Sequence, residues 1–259
     1  MQKKILTAIL TFMLLATTIG MVIPQAAAYN LRRPIRPTPT TAYPSTVSFS
    51  GYTWYIENTQ QPCNPGPNYW SNNPENVWVD ENGWLHLKIT QRNGKWYCAE
   101  LTTIQTLGYG TYAFYLASRT DNLDKNVVLG LFAYKDDTHE VDIEFSKWGI
   151  TNYQNGWFTV QPPPYIDGKN QKAFNFELSG DYTTHYFTWS QRSIYFESFH
   201  GHYPVGTQPQ GNVIESFTSY QRVSAQGVKA HINLWLYKGL APSDGLPTEV
   251  VIKSFTYTP

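Results

Sequence analysis

The sequence predicts an all-β protein, an antiparallel β-sandwich or jelly roll, for three reasons. From Asn76 onward, short runs alternate between apolar and polar side chains, the pattern of strands with one buried face. Turn-forming residues separate the runs, and no amphipathic helix of ten or more residues interrupts them. The expected strands are 77–79, 84–90, 112–116, 127–134, 140–145, 157–161, 185–189, 194–197, 230–236 and 249–257.

The first two runs predict a hairpin. Residues 80–83 (DENG) separate them, and Asn-Gly between two alternating runs favours a tight turn because both residues tolerate positive φ. The sequence shows no repeat of fixed period, and no later segment is long enough to cross a bilayer. One large β core is therefore expected.

The N-terminus has the order of a secretory signal peptide. Lys3 and Lys4 precede an apolar stretch, 5–23, and the small residues 26–28 (AAA) follow it. We predict a signal peptide over 1–28; an uncleaved membrane anchor is the alternative, although several threonines dilute the stretch. Residues 29–48 are rich in Pro and Thr and predict a linker, and 49–259 predict a single domain. A secreted protein with no membrane attachment follows.

Charge and composition narrow the function. The leader and linker, 1–48, contain five basic residues and no acidic ones. The predicted domain, 49–259, therefore has 14 Lys and Arg against 19 Asp and Glu, a net charge of −5. This balance argues against nucleic-acid binding, which depends on neutralising phosphates. Nine Trp and nineteen Tyr exceed the needs of an ordinary core and suit a surface that stacks on sugars, although many of them are expected in the core itself. We expect a monomer with a polysaccharide as its partner.

Two cysteines remain in this exported chain. A single disulfide between Cys63 and Cys98 is expected, with reactive thiols as the alternative.

Three acids form the most specific local pattern. Glu140, Asp142 and Glu144 alternate with apolar residues, so a strand would direct all three to one face. Like charges this close raise one another's pKa, so one acid stays protonated while another ionises. That division suits glycoside hydrolysis, in which one carboxylate attacks and one acid donates a proton. Two alternatives stay open on this pattern alone, namely a solvated edge strand and a calcium or magnesium site.

With its flanking motifs, this strand resembles that of bacterial lichenases and related endo-β-glucanases of glycoside hydrolase family sixteen. The resemblance is collinear over most of the mature domain. Its specific parts are 140–145 (EVDIEF) and 232–235 (INLW); 76–80 (NVWVD), 83–87 (GWLHL), 98–100 (CAE), 109–112 (YGTY) and the strand ending at Trp189 support it. It implies a concanavalin A-like jelly roll and a retaining, endo-acting enzyme that cleaves β-1,3 or β-1,4 linkages of a glucan by double displacement.

By the same resemblance, Glu140 is the nucleophile, Glu144 the general acid/base, and Asp142 the residue that orients and tunes the nucleophile. Cys63 and Cys98 fall where lichenases carry a disulfide. Period two on the strands that line the implied cleft gives most of the expected substrate-binding residues: Phe132, Tyr134, Trp157, Thr159, Gln161, Asn233 and Trp235, with core packing as the alternative for each aromatic. Glu100 matches a family position that hydrogen-bonds sugar. Trp148, just past the acids, is also expected to bind sugar, with packing of the following turn as the alternative.

The chain also departs from the family. Thr159 and Gln161 stand where lichenases have Asn and Tyr, and 162–164 (PPP) follow. Lys253 lies near the position of a calcium-binding Asp, so the sequence does not support a structural calcium site, and we expect no metal or cofactor. Two other functions use the same fold: a non-catalytic, lectin-like carbohydrate-binding protein, and a transglycosylase with the same nucleophile.

Overall fold

The structure, a computed structural model, describes residues 43–259. Over this range the chain forms sixteen strands and two 3-10 helices of three residues, Gln210–Asn212 and Tyr237–Gly239, with no α-helix. No helix within these residues is long and apolar enough to span a membrane. The strands are β1 (Thr46–Phe49), β2 (Tyr52–Ile56), β3 (Tyr69–Trp70), β4 (Val77–Val79), β5 (Leu85–Arg92), β6 (Lys95–Thr103), β7 (Gly110–Ala117), β8 (Val127–Asp136), β9 (His139–Ser146), β10 (Gly156–Val160), β11 (Gln171–Phe174), β12 (Tyr182–Trp189), β13 (Ile194–His200), β14 (Val213–Ser219), β15 (Lys229–Leu236) and β16 (Thr248–Thr258).

The strands form two layers. The first sheet runs β11-β10-β9-β8-β15-β6-β2-β1, and the second runs β4-β5-β16-β7-β12-β13-β14. The last residues of β5 pair with the start of β6 and so join the two layers at one corner. All pairings are antiparallel except that of β3 with β6. This is the predicted antiparallel sandwich.

Aromatic side chains from the two sheets meet in the core. Phe158 of the first sheet stacks on Phe196 of the second with ring centroids 5.1 Å apart, and Phe145 meets the His185 ring at 4.6 Å. Phe145, Phe158, Phe196 and His185 are all fully buried. Burial of rings of this size contributes about 1.5–3 kcal/mol each, so this interface is a main source of stability.

The predicted hairpin at 80–83 is confirmed. β4 pairs with β5, and an Asp80 carboxyl oxygen accepts the backbone N–H groups of Asn82 at 2.9 Å and Trp84 at 2.8 Å. Gly83 has φ +79°, a conformation that other residues adopt with strain.

The predicted segment boundaries fall partly outside the described residues. The signal peptide (1–28) and most of the linker (29–42) lie there. The predicted end of the linker at residue 48 falls inside β1, whose four residues all pair with β2.

The predicted disulfide is absent, because the structure holds Cys63 and Cys98 as thiols. The Cys98 thiol is fully buried and donates a hydrogen bond to Oδ1 of Asn68 at 3.4 Å. Two backbone carbonyls, those of Pro65 and Leu236, accept from Nδ2 of Asn68 and hold this side chain beside Cys98. Burial raises the pKa of the Cys98 thiol strongly, which keeps it protonated and unreactive.

Candidate active site

Alternation along β9 separates acids from core residues. Val141, Ile143 and Phe145 are fully buried between the sheets. Glu140 and Glu144 therefore point to the opposite side, where both keep part of their surface open to solvent, and Asp142 lies between them at 4% exposure. We call this side of the first sheet, opposite the core, the acid face.

Strand register brings most of the predicted site residues next to the acids. Directly paired residues of neighbouring strands have Cβ atoms about 4.5–5.5 Å apart on the same face. The pairs on β8 are Tyr134 with Glu140, Phe132 with Asp142 and Gly130 with Glu144; those on β10 are Thr159 with Asp142 and Trp157 with Glu144. The acid face thus surrounds each carboxylate with predicted neighbours.

The next two strands extend this row. Asn233 on β15 pairs with Gly130 on one side and with Glu100 of β6 on the other. A Cβ at residue 130 would lie 2.5 Å from Oδ1 of Asn233, so glycine there makes room for the amide. That Oδ1 is buried and has no hydrogen-bond partner among the described residues. Oδ1 of Asn233, across Gly130 from Glu144, is therefore available to accept a hydrogen bond from a sugar hydroxyl.

Four aromatic rings form a cluster that includes Trp157, the β10 partner of Glu144. Trp148 lies 6.2 Å from both Trp157 and Trp235 and 5.6 Å from Tyr237, measured between ring centroids. The three tryptophans are at most 8% exposed, so only a small part of each ring is open to a ligand in this structure. Ser146 accepts the Trp157 indole N–H through its backbone oxygen at 2.9 Å, which fixes the orientation of that ring against Glu144.

His231 lies on the acid face but was not among the site residues predicted from the sequence. Its Nδ1 lies 3.2 Å from a carboxyl oxygen of Glu100 and 3.0 Å from the Thr102 hydroxyl, and its ring stacks on Phe132 with centroids 4.8 Å apart. The period of two that selected Asn233 also includes residue 231, so the pattern carried the signal. Through its buried contact with Glu100, His231 belongs to the polar residues of the acid face.

Tyr165 is the second missed residue, and no sequence pattern pointed to it. It lies in the loop after β10, where its hydroxyl donates to Oε1 of Gln161 at 2.6 Å. Gln161 in turn donates from Nε2 to Oδ2 of Asp142 at 3.3 Å. Gln161 is thus placed as predicted, next to the acids, but its direct partner is the carboxyl group of Asp142.

Burial and mutual charge keep protons on this site. Burial, followed by the charge of Glu140 and a hydrogen bond to it, raises the pKa of Asp142 well above its usual range. The Gln161 amide opposes this by stabilising the ionised form. Burial, followed by the charge of Asp142, likewise raises the pKa of Glu144 well above normal. Burial and the neighbouring charges therefore favour the protonated forms of Asp142 and Glu144 beside Glu140.

The raised pKa of Asp142 predicts that Asp142→Asn stabilises the fold. An acid whose pKa is higher in the folded state favours folding only below its unfolded pKa, and that contribution is lost as the pH rises. We expect a gain of about 1 kcal/mol at pH 7, which is about 2–4 °C in Tm for a domain of this size, and no gain near pH 3. Thermal unfolding at the two pH values checks this.

Asp80→Asn is the matched control for this measurement. Backbone hydrogen bonding to Trp84 lowers the pKa of Asp80, so its replacement should destabilise the protein at pH 7. A loss of stability for Asp142→Asn at neutral pH would contradict the charge assignment.

Metal ligands are not evident on the described residues. Within 43–259 no group of three or more His, Cys, Asp or Glu side chains is arranged to hold a metal ion. Lys253, near the family's calcium position, has its Nζ 3.5 Å from Nδ1 of His202.

The two-layer sandwich with an acid-bearing strand has the fold of the β-glucanase jelly rolls. The β-glucanase of Bacillus licheniformis superposes with a TM-score of 0.59 at 22% identity, over 84% of this chain and 96% of that one. A prokaryotic β-1,3-1,4-glucanase (lichenase) from a mouse hindgut metagenome gives 0.57 at 19% identity, over 80% and 92%. An immunostimulatory antigen and pseudo β-1,3-glucanase of Mycobacterium tuberculosis gives 0.58 at 20% identity, over 81% and 89%.

No protein-family model matches the sequence, and no curated protein matches it. The similarity to the three solved structures establishes the lichenase-like fold.

Proposed function

We propose that the protein is a secreted, retaining, endo-acting glycoside hydrolase that cleaves a β-1,3- or β-1,4-linked glucan by double displacement. One observation carries the proposal: three acids alternate along β9 on one face, and burial raises the pKa of the second and third, Asp142 and Glu144, beside the first, Glu140. The fold shared with β-glucanases supports the substrate class. The leader predicted over 1–28 supports secretion.

The residue roles follow from the protonation pattern. Glu140, ionised, attacks the anomeric carbon and forms a glycosyl ester, while protonated Glu144 gives its proton to the departing glycosidic oxygen. Glu144, now ionised, then takes a proton from the water that breaks the ester, which restores both carboxyl groups. Asp142 keeps its proton and donates a hydrogen bond to Glu140, which favours the ionised nucleophile before attack and after release.

Two displacements at one carbon predict net retention of configuration. We expect the first product detected from a mixed-linkage glucan to be the β-anomer, with the α-anomer appearing later by mutarotation. Proton NMR of the anomeric region, recorded from the first minutes of reaction, checks this. An α-anomer formed first would rule out the double displacement.

A substrate panel separates the proposed hydrolase from its alternatives. Laminarin, mixed-linkage glucan, xyloglucan, agarose and carrageenan are incubated with the protein, and the products are analysed by mass spectrometry. Oligosaccharides from a β-glucan support the proposal; chains longer than the starting material indicate a transglycosylase. Binding without cleavage of any member indicates a lectin-like protein. One solved structure with this fold is described as a pseudo β-1,3-glucanase, so this outcome has a structural precedent.

A further inference from the structure

A chain of two hydrogen bonds leads from the loop after β10 to the middle acid. The Tyr165 hydroxyl donates to Oε1 of Gln161 at 2.6 Å, and Nε2 of Gln161 donates to Oδ2 of Asp142 at 3.3 Å. Asp142 is itself hydrogen-bonded to Glu140. A loop tyrosine is thereby connected to the proposed nucleophile through three side-chain contacts.

The surrounding backbone holds Gln161 in place. Its N–H donates to the carbonyl of Glu140 at 3.1 Å, which extends the β9–β10 pairing by one residue. Its carbonyl accepts from Nε2 of Gln221 at 2.8 Å. The Gln161 side chain therefore starts from a fixed point next to β9.

The loop that carries Tyr165 is fixed by Asn170. Nδ2 of Asn170 donates to the carbonyls of Val160, Pro162 and Pro164 at 3.2–3.4 Å, and its Oδ1 accepts the N–H of Ile166 at 2.8 Å. Burial, followed by the charge of Asp142, raises the pKa of the Tyr165 hydroxyl, so it remains an O–H donor. The donor thus stays opposite the Gln161 amide.

An amide has one accepting and one donating end, and in the structure the Tyr165 hydroxyl occupies the accepting end of Gln161. With Oε1 occupied by the hydroxyl, the N–H₂ end faces Oδ2 of Asp142, so that oxygen accepts and the acid's own proton resides on Oδ1. That proton is then directed to Glu140. If the amide turned over, Oε1 would accept the proton of Asp142, and Glu140 would lose its hydrogen bond.

We propose that Gln161 and Tyr165 are positioning residues that direct the Asp142 hydrogen bond onto Glu140. The inference rests on the proposed function for its role in catalysis, but the hydrogen-bond direction is a property of the resting protein. It assigns a purpose to the Gln161 position, where the sequence departs from the lichenase pattern.

The other charged and titratable groups around Asp142 stay unchanged in the test variants. Glu140 and Glu144 flank it on β9, and Tyr134 lies on β8. His231 and Lys229 on β15 and Glu100 on β6 lie further along the same face. A change in titration between parent and variant therefore reports the Gln161–Tyr165 chain.

The first test is the pH dependence of kcat/KM for Tyr165→Phe, Gln161→Met and the double variant. Loss of the directed hydrogen bond makes Glu140 harder to ionise, so we expect the acidic limb to move up by roughly one pH unit in each single variant. We expect kcat below that limb to fall about tenfold with KM changed by less than about twofold, and the double variant to match the singles because both act through one bond.

Tyr257→Phe is the matched control, since it removes a hydroxyl that donates to the Tyr109 carbonyl at 2.8 Å on the second sheet. Its pH profile should equal that of the parent. Unchanged limbs in Tyr165→Phe and Gln161→Met, with circular dichroism showing intact folds, would overturn the positioning role while leaving the proposed hydrolase in place.

The second test measures the titration of the acids in the absence of substrate. Carbon-13 NMR of the side-chain carboxyls follows the titration of the Asp142–Glu140 pair in the resting protein, whose two steps belong to the pair. We expect the lower step to move up in both single variants and not in Tyr257→Phe. If the protein cleaves no glucan but this shift occurs, the positioning stands and the proposed function fails; if no shift occurs, the positioning is wrong.

Discussion

Glu140→Gln is expected to abolish cleavage of a β-glucan, with kcat reduced by at least about 10³-fold. The amide has nearly the same shape as the carboxylate but cannot attack the anomeric carbon. Because Asp142 can still donate its hydrogen bond to the amide oxygen, the fold and the affinity for the sugar should remain close to those of the parent. Reducing-sugar release measures the first effect, and calorimetric titration with an oligosaccharide measures the second.

Glu249→Gln provides the control for that substitution. This carboxylate lies on the second sheet, where it binds Lys88 and His86 at 2.9 Å, away from the acid face. Its replacement should leave kcat unchanged. Residual hydrolysis by Glu140→Gln within tenfold of the parent contradicts its assignment as nucleophile.

Replacement of Glu144 by Gln is expected to have the second largest effect, and that effect depends on the leaving group. On a natural glucan, loss of the general acid should reduce kcat by about 10²–10⁴-fold. On a dinitrophenyl glycoside, the phenolate departs without a proton, so the first displacement should stay fast. We expect a burst of one equivalent of phenolate followed by slow turnover, because Glu144 is also the base of the second step.

Azide and Glu140→Gln provide the comparisons for this experiment. In Glu144→Ala, azide fits the vacated space and needs no base, so it should restore turnover and yield a β-glycosyl azide. Glu140→Gln should show neither burst nor rescue with the same substrate. Equal loss of the burst in Glu144→Gln and Glu140→Gln is the result that opposes separate roles.

Alternation was the part of the sequence that predicted structure best. On β9 and β15 one face is apolar and the other polar, so period two gave both the strands and the faces that hold Glu140, Asn233 and Trp235. It failed on β6, whose last six residues are all buried and mix apolar with polar side chains on both faces.

The site was predictable where strands carry it and unpredictable where loops do. Residue types at period two located the acids and their cross-strand partners, although His231 was passed over on the same strand as Asn233. Tyr165 reaches Asp142 only through a loop fixed by Asn170 and Gln221, and such long-range contacts leave no local pattern. The predicted Cys63–Cys98 disulfide is not shown by the structure, in which the Cys98 thiol donates to Oδ1 of Asn68.

Trapping the covalent intermediate tests the central claim most directly. The substrate is a 2-deoxy-2-fluoro β-glucoside or laminaribioside with a dinitrophenyl leaving group. The fluorine slows both displacements, whereas the activated leaving group keeps the first one fast, so the glycosyl ester should accumulate. Mass spectrometry of the intact protein should show the addition of one fluorosugar, and peptide mapping should place it on Glu140. An ester on any other carboxylate, or phenolate release with no adduct, would contradict the account.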